Sequence, residues 1–293
     1  MIKIEIGSRQ KGEPVMDMIL WNNQLMKREP IVDIEDRGYQ FGDGVYEVIA
    51  IYNGKLFLFD EHMERLERSA KEIQLTLPCS ASELKQKVIE LVDRNKLQDG
   101  VVYLQISRGV ATRWHAYPDK ETESVLVAYT IEEKTMTEEE DHGAKAILTP
   151  DIRWLRCDIK TLNLLPNAMA KQKAIEAGAV EAILHREDNV TEASSSNVFI
   201  VKNNKVLTHP ANNLILNGIT RQKVIELCGE LNLSVQTEVY TVQDLLEADE
   251  VFITATKLDV VPIIEVDDHP IGEGIPGRIT KKIVHAFRQL RAQ

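Results

Sequence analysis

From residue 18 onward, short runs dense in β-branched and aromatic residues alternate with stretches whose apolar positions recur at helical spacing. Neither type takes over the chain. Strands are predicted at 18–21, 46–51, 101–106 and 125–130, with two helices among them. The first helix is expected to start with Asp60 as its N-cap, because Phe59, Met63, Leu66, Ala70 and Ile73 then share one face. The second opens on a capping box, Ser80 to Glu83, and carries Leu84, Val88, Leu91 and Val92 at helical spacing. It is expected to end near Asp99-Gly100. Later strands are predicted at 144–149, 182–185, 198–201, 206–208 and 251–254, and later helices at 168–177, 220–231 and 279–290. There is no internal repeat of fixed period, so the fold class expected is α/β together with α+β.

One segment breaks the interleaving. Residues 131–143, IEEKTMTEEEDHG, are acidic and almost free of apolar side chains, which marks a solvated connection. It divides the chain into an N-terminal extension (1–17), a smaller N-terminal α/β domain (18–130), the linker (131–143) and a larger C-terminal domain (144–293). A length of 293 residues suits two domains of about 100 to 200 residues each. Apolar residues at 43% and charged residues at 28% exclude a disordered or low-complexity scaffold. Thirty-five basic against 46 acidic residues leave a net charge of −11, with Lys and Arg scattered among acids. That balance speaks against nucleic acid or anionic membrane as a partner. No apolar run approaches the roughly 18 residues of a spanning helix, and the N-terminus is too polar for a signal-peptide core. A cytoplasmic protein is therefore expected. Cys79, Cys157 and Cys228 lie far apart without metal-ligand spacing, so they are expected to be reduced and structural, and no metal site is expected.

Four stretches resist explanation as packing. Residues 36–47, DRGYQFGDGVYE, hold three glycines in seven positions, which suits either a simple loop or a backbone that something approaches closely. Lys160 follows a mixed charged and apolar run, RWLRCDI, and precedes Thr-Leu-Asn-Leu-Leu. It is either a surface charge or, in an apolar setting, an imine former and proton carrier. Residues 191–197, TEASSSN, are either a Ser-rich turn or a polar ligand site whose leading carboxylate, Glu192, meets a cationic ring nitrogen. Finally, Leu216-Asn217-Gly218-Ile219-Thr220-Arg221 opens a helix. Its N-terminus suits phosphate, and N-capping by Thr220 explains it nearly as well.

Taken in order, EDRGYQFGDGVYEV, SRGVATRWHAYP, DIRWLRCDIKTLN, EAILHREDNVTEASSSNVF and THPANNLILNGITR make the chain resemble the fold type IV pyridoxal-phosphate aminotransferases. Within them it is most similar to the D-amino acid branch. The similarity runs from about residue 18 to near residue 285 and leaves the extension outside. It implies a two-domain fold type IV enzyme whose C-terminal domain binds pyridoxal 5'-phosphate. Lys160 would carry the cofactor and move the substrate proton, and Glu192 would face the pyridinium nitrogen. Arg65 in EHMERL, together with Ile219, Thr220 and Thr256, would hold the phosphate. Relatives often have a hydroxyl residue where this chain has Ala255, which removes one phosphate contact or leaves it to water. Ser195 would lie near the ring, and Tyr46 near both the lysine and the cofactor oxygen.

Substrate class turns on Arg113-Trp114-His115. Read alone, these residues are a surface pair in a loop ending at Pro118. The resemblance makes Arg113, His115 and Tyr46 the holders of the substrate α-carboxylate, and a planar guanidinium suits that bidentate task. The expected activity moves an amino group between a D-amino acid (D-alanine, D-glutamate) and a 2-oxo acid (2-oxoglutarate, pyruvate) by a ping-pong mechanism, in a homodimer. The alternatives on the same fold are an L-branched-chain aminotransferase and an aminodeoxychorismate lyase-like enzyme.

Overall fold

The computed structural model describes residues 17–29, 31–133 and 142–292. The N-terminal extension up to residue 16 and most of the acidic connection lie outside the described residues. Two compact units emerge: residues 17–133 with 159–164, and residues 142–158 with 165–292.

The first unit runs β1 (Met18–Trp21), β2 (Gln24–Lys27), α1 (Arg37–Phe41), β3 (Gly44–Tyr52), β4 (Lys55–Leu56), α2 (Phe59–Glu72), α3 (Ala81–Asn95), β5 (Gly100–Ser107) and β6 (Val125–Glu132). Its described strands form one antiparallel sheet in the order β2-β1-β6-β5-β3-β4. Alternation on β3 sends Val45, Ile49 and Ile51 into a core that Met63 and Leu66 of α2 and Leu84, Val88 and Leu91 of α3 complete. The first helix begins at Phe59 rather than behind an Asp60 cap. Leu58 takes a left-handed conformation (φ 54°) at its N-cap, and the Asp60 carboxylate accepts from Lys85 Nζ at 2.7 Å instead. In α3 the capping box is present, but the helix stops at Asn95 because Lys96 turns left-handed (φ 54°). Gly100 instead opens β5.

The second unit runs β7 (Ala144–Pro150), α4 (Leu165–Glu176), β8 (Glu181–Arg186), β9 (Asn189–Ala193), β10 (Asn197–Lys202), β11 (Lys205–Thr208), α5 (Ile219–Glu230), β12 (Ser234–Thr237), α6 (Val242–Leu246), β13 (Glu250–Ala255), β14 (Asp259–Val266), β15 (His269–Pro270) and α7 (Arg278–Arg291). Its sheet follows the order β12-β11-β10-β13-β14-β7-β8-β9, and β15 pairs with β14. The sheet is mixed: β7 is parallel to both β14 and β8, and β11 to β12. Helices α5 and α7 pack on each other and on β13, while α4 lies on β7 and β8.

A division of the chain at 131–143 places 159–164 in the C-terminal half, yet this segment belongs with the first unit. Tyr46 N donates to Lys160 O at 3.0 Å, Leu162 N donates to Gly44 O at 3.1 Å, and Thr161 bridges Val45. Backbone pairing with β3 overrides the sequence order.

Candidate active site

In the first unit, Lys160 is held by its backbone: its N–H donates to Ser69 Oγ at 3.3 Å, and its carbonyl accepts from Tyr46. Its Nζ stands 4.2 Å from the centroid of the Tyr46 ring. That ring stacks on Tyr103 (5.7 Å between centroids), which meets Tyr129 (5.2 Å), so the outer face of β3, β5 and β6 carries a row of aromatic rings ending at the amine.

The residue after Tyr46 breaks the alternation of β3. Glu47 occupies the apolar phase between Val45 and Ile49 and is wholly buried. A buried carboxylate needs opposite charge and donors. Helix α2 supplies both: Arg65 donates Nε to Oε1 (2.7 Å) and Nη2 to Oε2 (2.8 Å), and His62 Nδ1 lies 2.7 Å from Oε2. Burial alone would raise the Glu47 carboxyl, but the charges and hydrogen bonds of Arg65 and His62 prevail and hold it well below the carboxylate range. Burial lowers the His62 imidazole, against the pull of Glu47. Arg65, expected at a phosphate, is thus oriented by a carboxylate that the sequence reading did not single out.

The glycine-dense stretch is not an open loop. Asp36 caps the short helix α1 through Gly38 N and Tyr39 N, and Gly42 closes it in the left-handed region (φ 66°), where a side chain would be strained. From α1, Arg37 donates Nε to Asp43 (2.8 Å) and Nη1 to the carbonyl of Trp114 (2.7 Å). That bond ties down the exposed segment carrying Arg113 and His115. Both residues lie against Phe41, with Arg113 Cζ 5.0 Å and the His115 ring 5.7 Å from its ring centroid.

In the second unit, Glu192 lies on β9 rather than in a turn, and it is buried. Its carboxylate accepts from Arg153 Nη1 (2.5 Å), Asn197 Nδ2 (3.0 Å) and Leu216 N (3.1 Å). Burial pushes the Glu192 carboxyl up to about 7, with Arg153 and the Leu216 amide opposing it. The three serines that follow converge on another buried carboxylate, Glu181: Ser194 Oγ, Ser195 Oγ (2.8 Å) and Ser196 Oγ (3.0 Å) all donate to it. Ser195 itself is exposed, with its hydroxyl fixed by that bond.

Helix α5 takes Gly218, not Thr220, as its N-cap, so the cap residue itself has no side chain to offer the first N–H groups. Thr220 sits buried inside the first turn beside Ile219. Gly218 is there for want of a Cβ, since a Cβ would lie 2.1 Å from Asn197 Oδ1. One residue on from Thr220, the buried Arg221 guanidinium leaves Nε without a hydrogen-bond partner. The other two guanidinium nitrogens donate to Asn217 Oδ1 and to His209 O, each at 2.9 Å, so a guanidinium with one N–H to spare and the N–H groups of a helix start fit an anionic phosphate. Thr256 occupies the turn after β13, next to Ala255 at the end of that strand. Among the described residues no cluster of His, Cys, Asp and Glu suits a metal ion, and no helix is long and apolar enough to cross a membrane.

The family model for class IV amino-transferases matches residues 44–266. The chain belongs to the class IV aminotransferases. It is 53% identical to a D-alanine aminotransferase of Bacillus licheniformis, over 92% of this chain and 95% of that one. It is 48% identical to a D-alanine aminotransferase of Listeria monocytogenes (92% and 94% covered) and 45% to one of Staphylococcus aureus (94% and 98%). Among solved class IV folds it resembles the Escherichia coli branched-chain amino acid aminotransferase, with a TM-score of 0.88 at 26% identity over 94% of each chain. The branched-chain aminotransferase of Thermoproteus uzoniensis with norvaline gives 0.83 at 29%, again over 94% of each chain. In this fold type IV aminotransferase, Lys160, the buried Glu192 and the start of α5 all lie within the matched span. Glu47, Glu181 and Arg153 had no role legible in the sequence, although Glu47 and Arg153 end and open two of the stretches that resist explanation as packing. A charge on the apolar phase of a strand was the visible signal for the first; nothing in spacing marked the other two.

Proposed function

We propose that this aminotransferase is a pyridoxal-phosphate-dependent D-amino acid transaminase acting on D-alanine or D-glutamate with 2-oxoglutarate or pyruvate as acceptor. When bound, pyridoxal phosphate supplies an aldehyde that takes up the amino group and a ring that draws electrons from Cα. Lys160 anchors the cofactor and then moves the proton at Cα, its amine standing beside the Tyr46 ring. Glu192 keeps a negative charge against the ring nitrogen. Arg65, Ile219, Thr220 and Thr256 hold the phosphate, and Ser195 lies by the ring. The first 2-oxo acid leaves before the acceptor enters, which gives ping-pong kinetics.

One observation carries the choice of the D-branch: Arg113 and His115 share a loop that Arg37 ties down at Trp114 O, and both lie against Phe41. A guanidinium on a fixed loop, with His115 and Tyr46, orients a substrate carboxylate and hence the face of Cα. The relatives named D-alanine aminotransferase support this at 45% to 53% identity, against 26% and 29% for the branched-chain enzymes cited. The proposal extends to a cytoplasmic homodimer. In support, Val32, Ile34, Tyr39, Trp114 and Tyr117 are large apolar side chains left exposed on one unit.

The test is spectroscopic. Protein loaded with pyridoxal phosphate is mixed with D-alanine and, separately, with L-leucine. The proposal expects D-alanine alone to bleach the cofactor band; conversion by L-leucine alone would replace the D-branch with the branched-chain one.

A further inference from the structure

The Arg153 side chain is buried, on the loop after β7, and reaches two acids at once. Asp151, whose side chain is wholly buried, takes Nε at 2.9 Å and Nη2 at 2.9 Å, and also the Arg153 backbone N–H at 3.0 Å. Only Nη1 goes to Glu192. Asp151 is itself held by Arg186 Nε (3.1 Å) and Thr191 Oγ1 (3.1 Å). This division of the guanidinium matters. A whole arginine committed to Glu192 would neutralise it and leave nothing for a cationic ring, whereas no arginine would leave a buried acid that takes up a proton. A carboxylate offers about four lone-pair positions. Arg153, Asn197 and Leu216 N supply three donors, all of which favour the charged form.

We propose that Arg153 is a positioning residue for transamination: clamped by Asp151, it aims Glu192 and favours its charged form while leaving it negative charge to share with a cationic ring nitrogen. The inference rests on the assignment of Glu192 to that nitrogen. Among the described residues, Arg153, Asp151, Cys157 and Arg221 act on Glu192 electrostatically. Burial pushes the Cys157 thiol up to about 11, and Asp151, despite its burial, is held below its ordinary range by Arg153 and Arg186. Neither changes charge between about pH 6 and 9, and an arginine stays charged there. A proton gained or lost within this group in that window is therefore Glu192's.

The experiment compares wild type with Arg153→Met, Arg153→Lys, Glu192→Gln and the double variant Arg153→Met/Glu192→Gln. In cofactor-free protein, isotope-edited infrared spectroscopy follows the Glu192 carboxyl band against pH, with Glu192→Gln as the blank. Arg153→Met should raise the midpoint by about one pH unit or more, which is roughly tenfold in proton affinity. Arg153→Lys should shift it less, since it restores the charge without the fork. In the loaded enzyme, kcat of Arg153→Met at neutral pH should fall about tenfold or more, with the KM for D-alanine little changed. Because the ionised acid is required and its midpoint has risen, the activity should return as pH is raised. Adding Arg153→Met to Glu192→Gln should cost little further. An unmoved midpoint in either Arg153 variant, or equal losses with and without Glu192, overturns the inference and leaves Arg153 a strut. Wild-type kcat in Glu192→Gln would instead remove the ring assignment on which the inference stands. Should Arg153→Met not fold, the Arg153→Lys midpoint alone decides.

Discussion

Glu47 shows how one residue sets both the strength and the chemistry of its surroundings. Its carboxylate sits on the core side of β3, and Arg65 and His62 from α2 match its charge. Glu47→Gln takes the buried Glu47 charge away from the Arg65 guanidinium, a change expected to cost about 3 kcal/mol in urea unfolding of cofactor-free protein. The pH dependence follows from the sign of the shift. The folded-state pKa lies below the unfolded one, so the stabilisation is fully present above the ordinary glutamate range and is lost as pH falls below it. Stability of wild type minus that of Glu47→Gln should therefore shrink steadily on acidification; a difference independent of pH would show that Glu47 is not charged in the fold. Lys160, Glu192 and Thr220 were visible in the sequence because each stands in a recognisable motif. The role proposed for Arg153 was not, since it depends on Asp151 and Glu192, two and 39 positions away, meeting in space.

At the scale of elements, regular periodicity was readable and local conformation was not. The spacing of Leu84, Val88 and Leu91 located α3, but its end depends on Lys96 entering a left-handed conformation, which no pattern of apolar residues encodes. Three glycines in seven positions suited a loop or a closely approached backbone and concealed α1, whose Asp36 cap and Gly42 terminus are local features. Strand β14 escaped notice because Pro262 lies within it, and proline argues against a strand. The start of α5 gives this scale its prediction. Gly218→Ala puts a methyl group against Asn197, whose amide is committed to Glu192 and to Leu216 O. Turning Asn197 aside loses both bonds. The variant should lose about 1 to 3 kcal/mol of stability and bind pyridoxal phosphate more weakly, measured by thermal melting with and without the cofactor. Unchanged melting in both conditions would mean that the contact relaxes freely.

For the molecule as a whole, two units with an interleaved α/β pattern followed from the sequence. The return of 159–164 to the first unit did not, because the pairing of Lys160 and Leu162 with β3 is a long-range event. That return sets the lysine beside Tyr46, and the proposed chemistry begins there. The central claim is that this class IV aminotransferase builds D-configured products. The most direct measurement incubates the protein, loaded with pyridoxal phosphate, with D-glutamate and pyruvate and resolves the alanine formed by chiral chromatography. The proposed carboxylate clamp of Arg113, His115 and Tyr46 presents one face of Cα to Lys160, so the product should be D-alanine, and L-glutamate should yield none. L-alanine as the product, or equal use of both glutamates, would contradict the account.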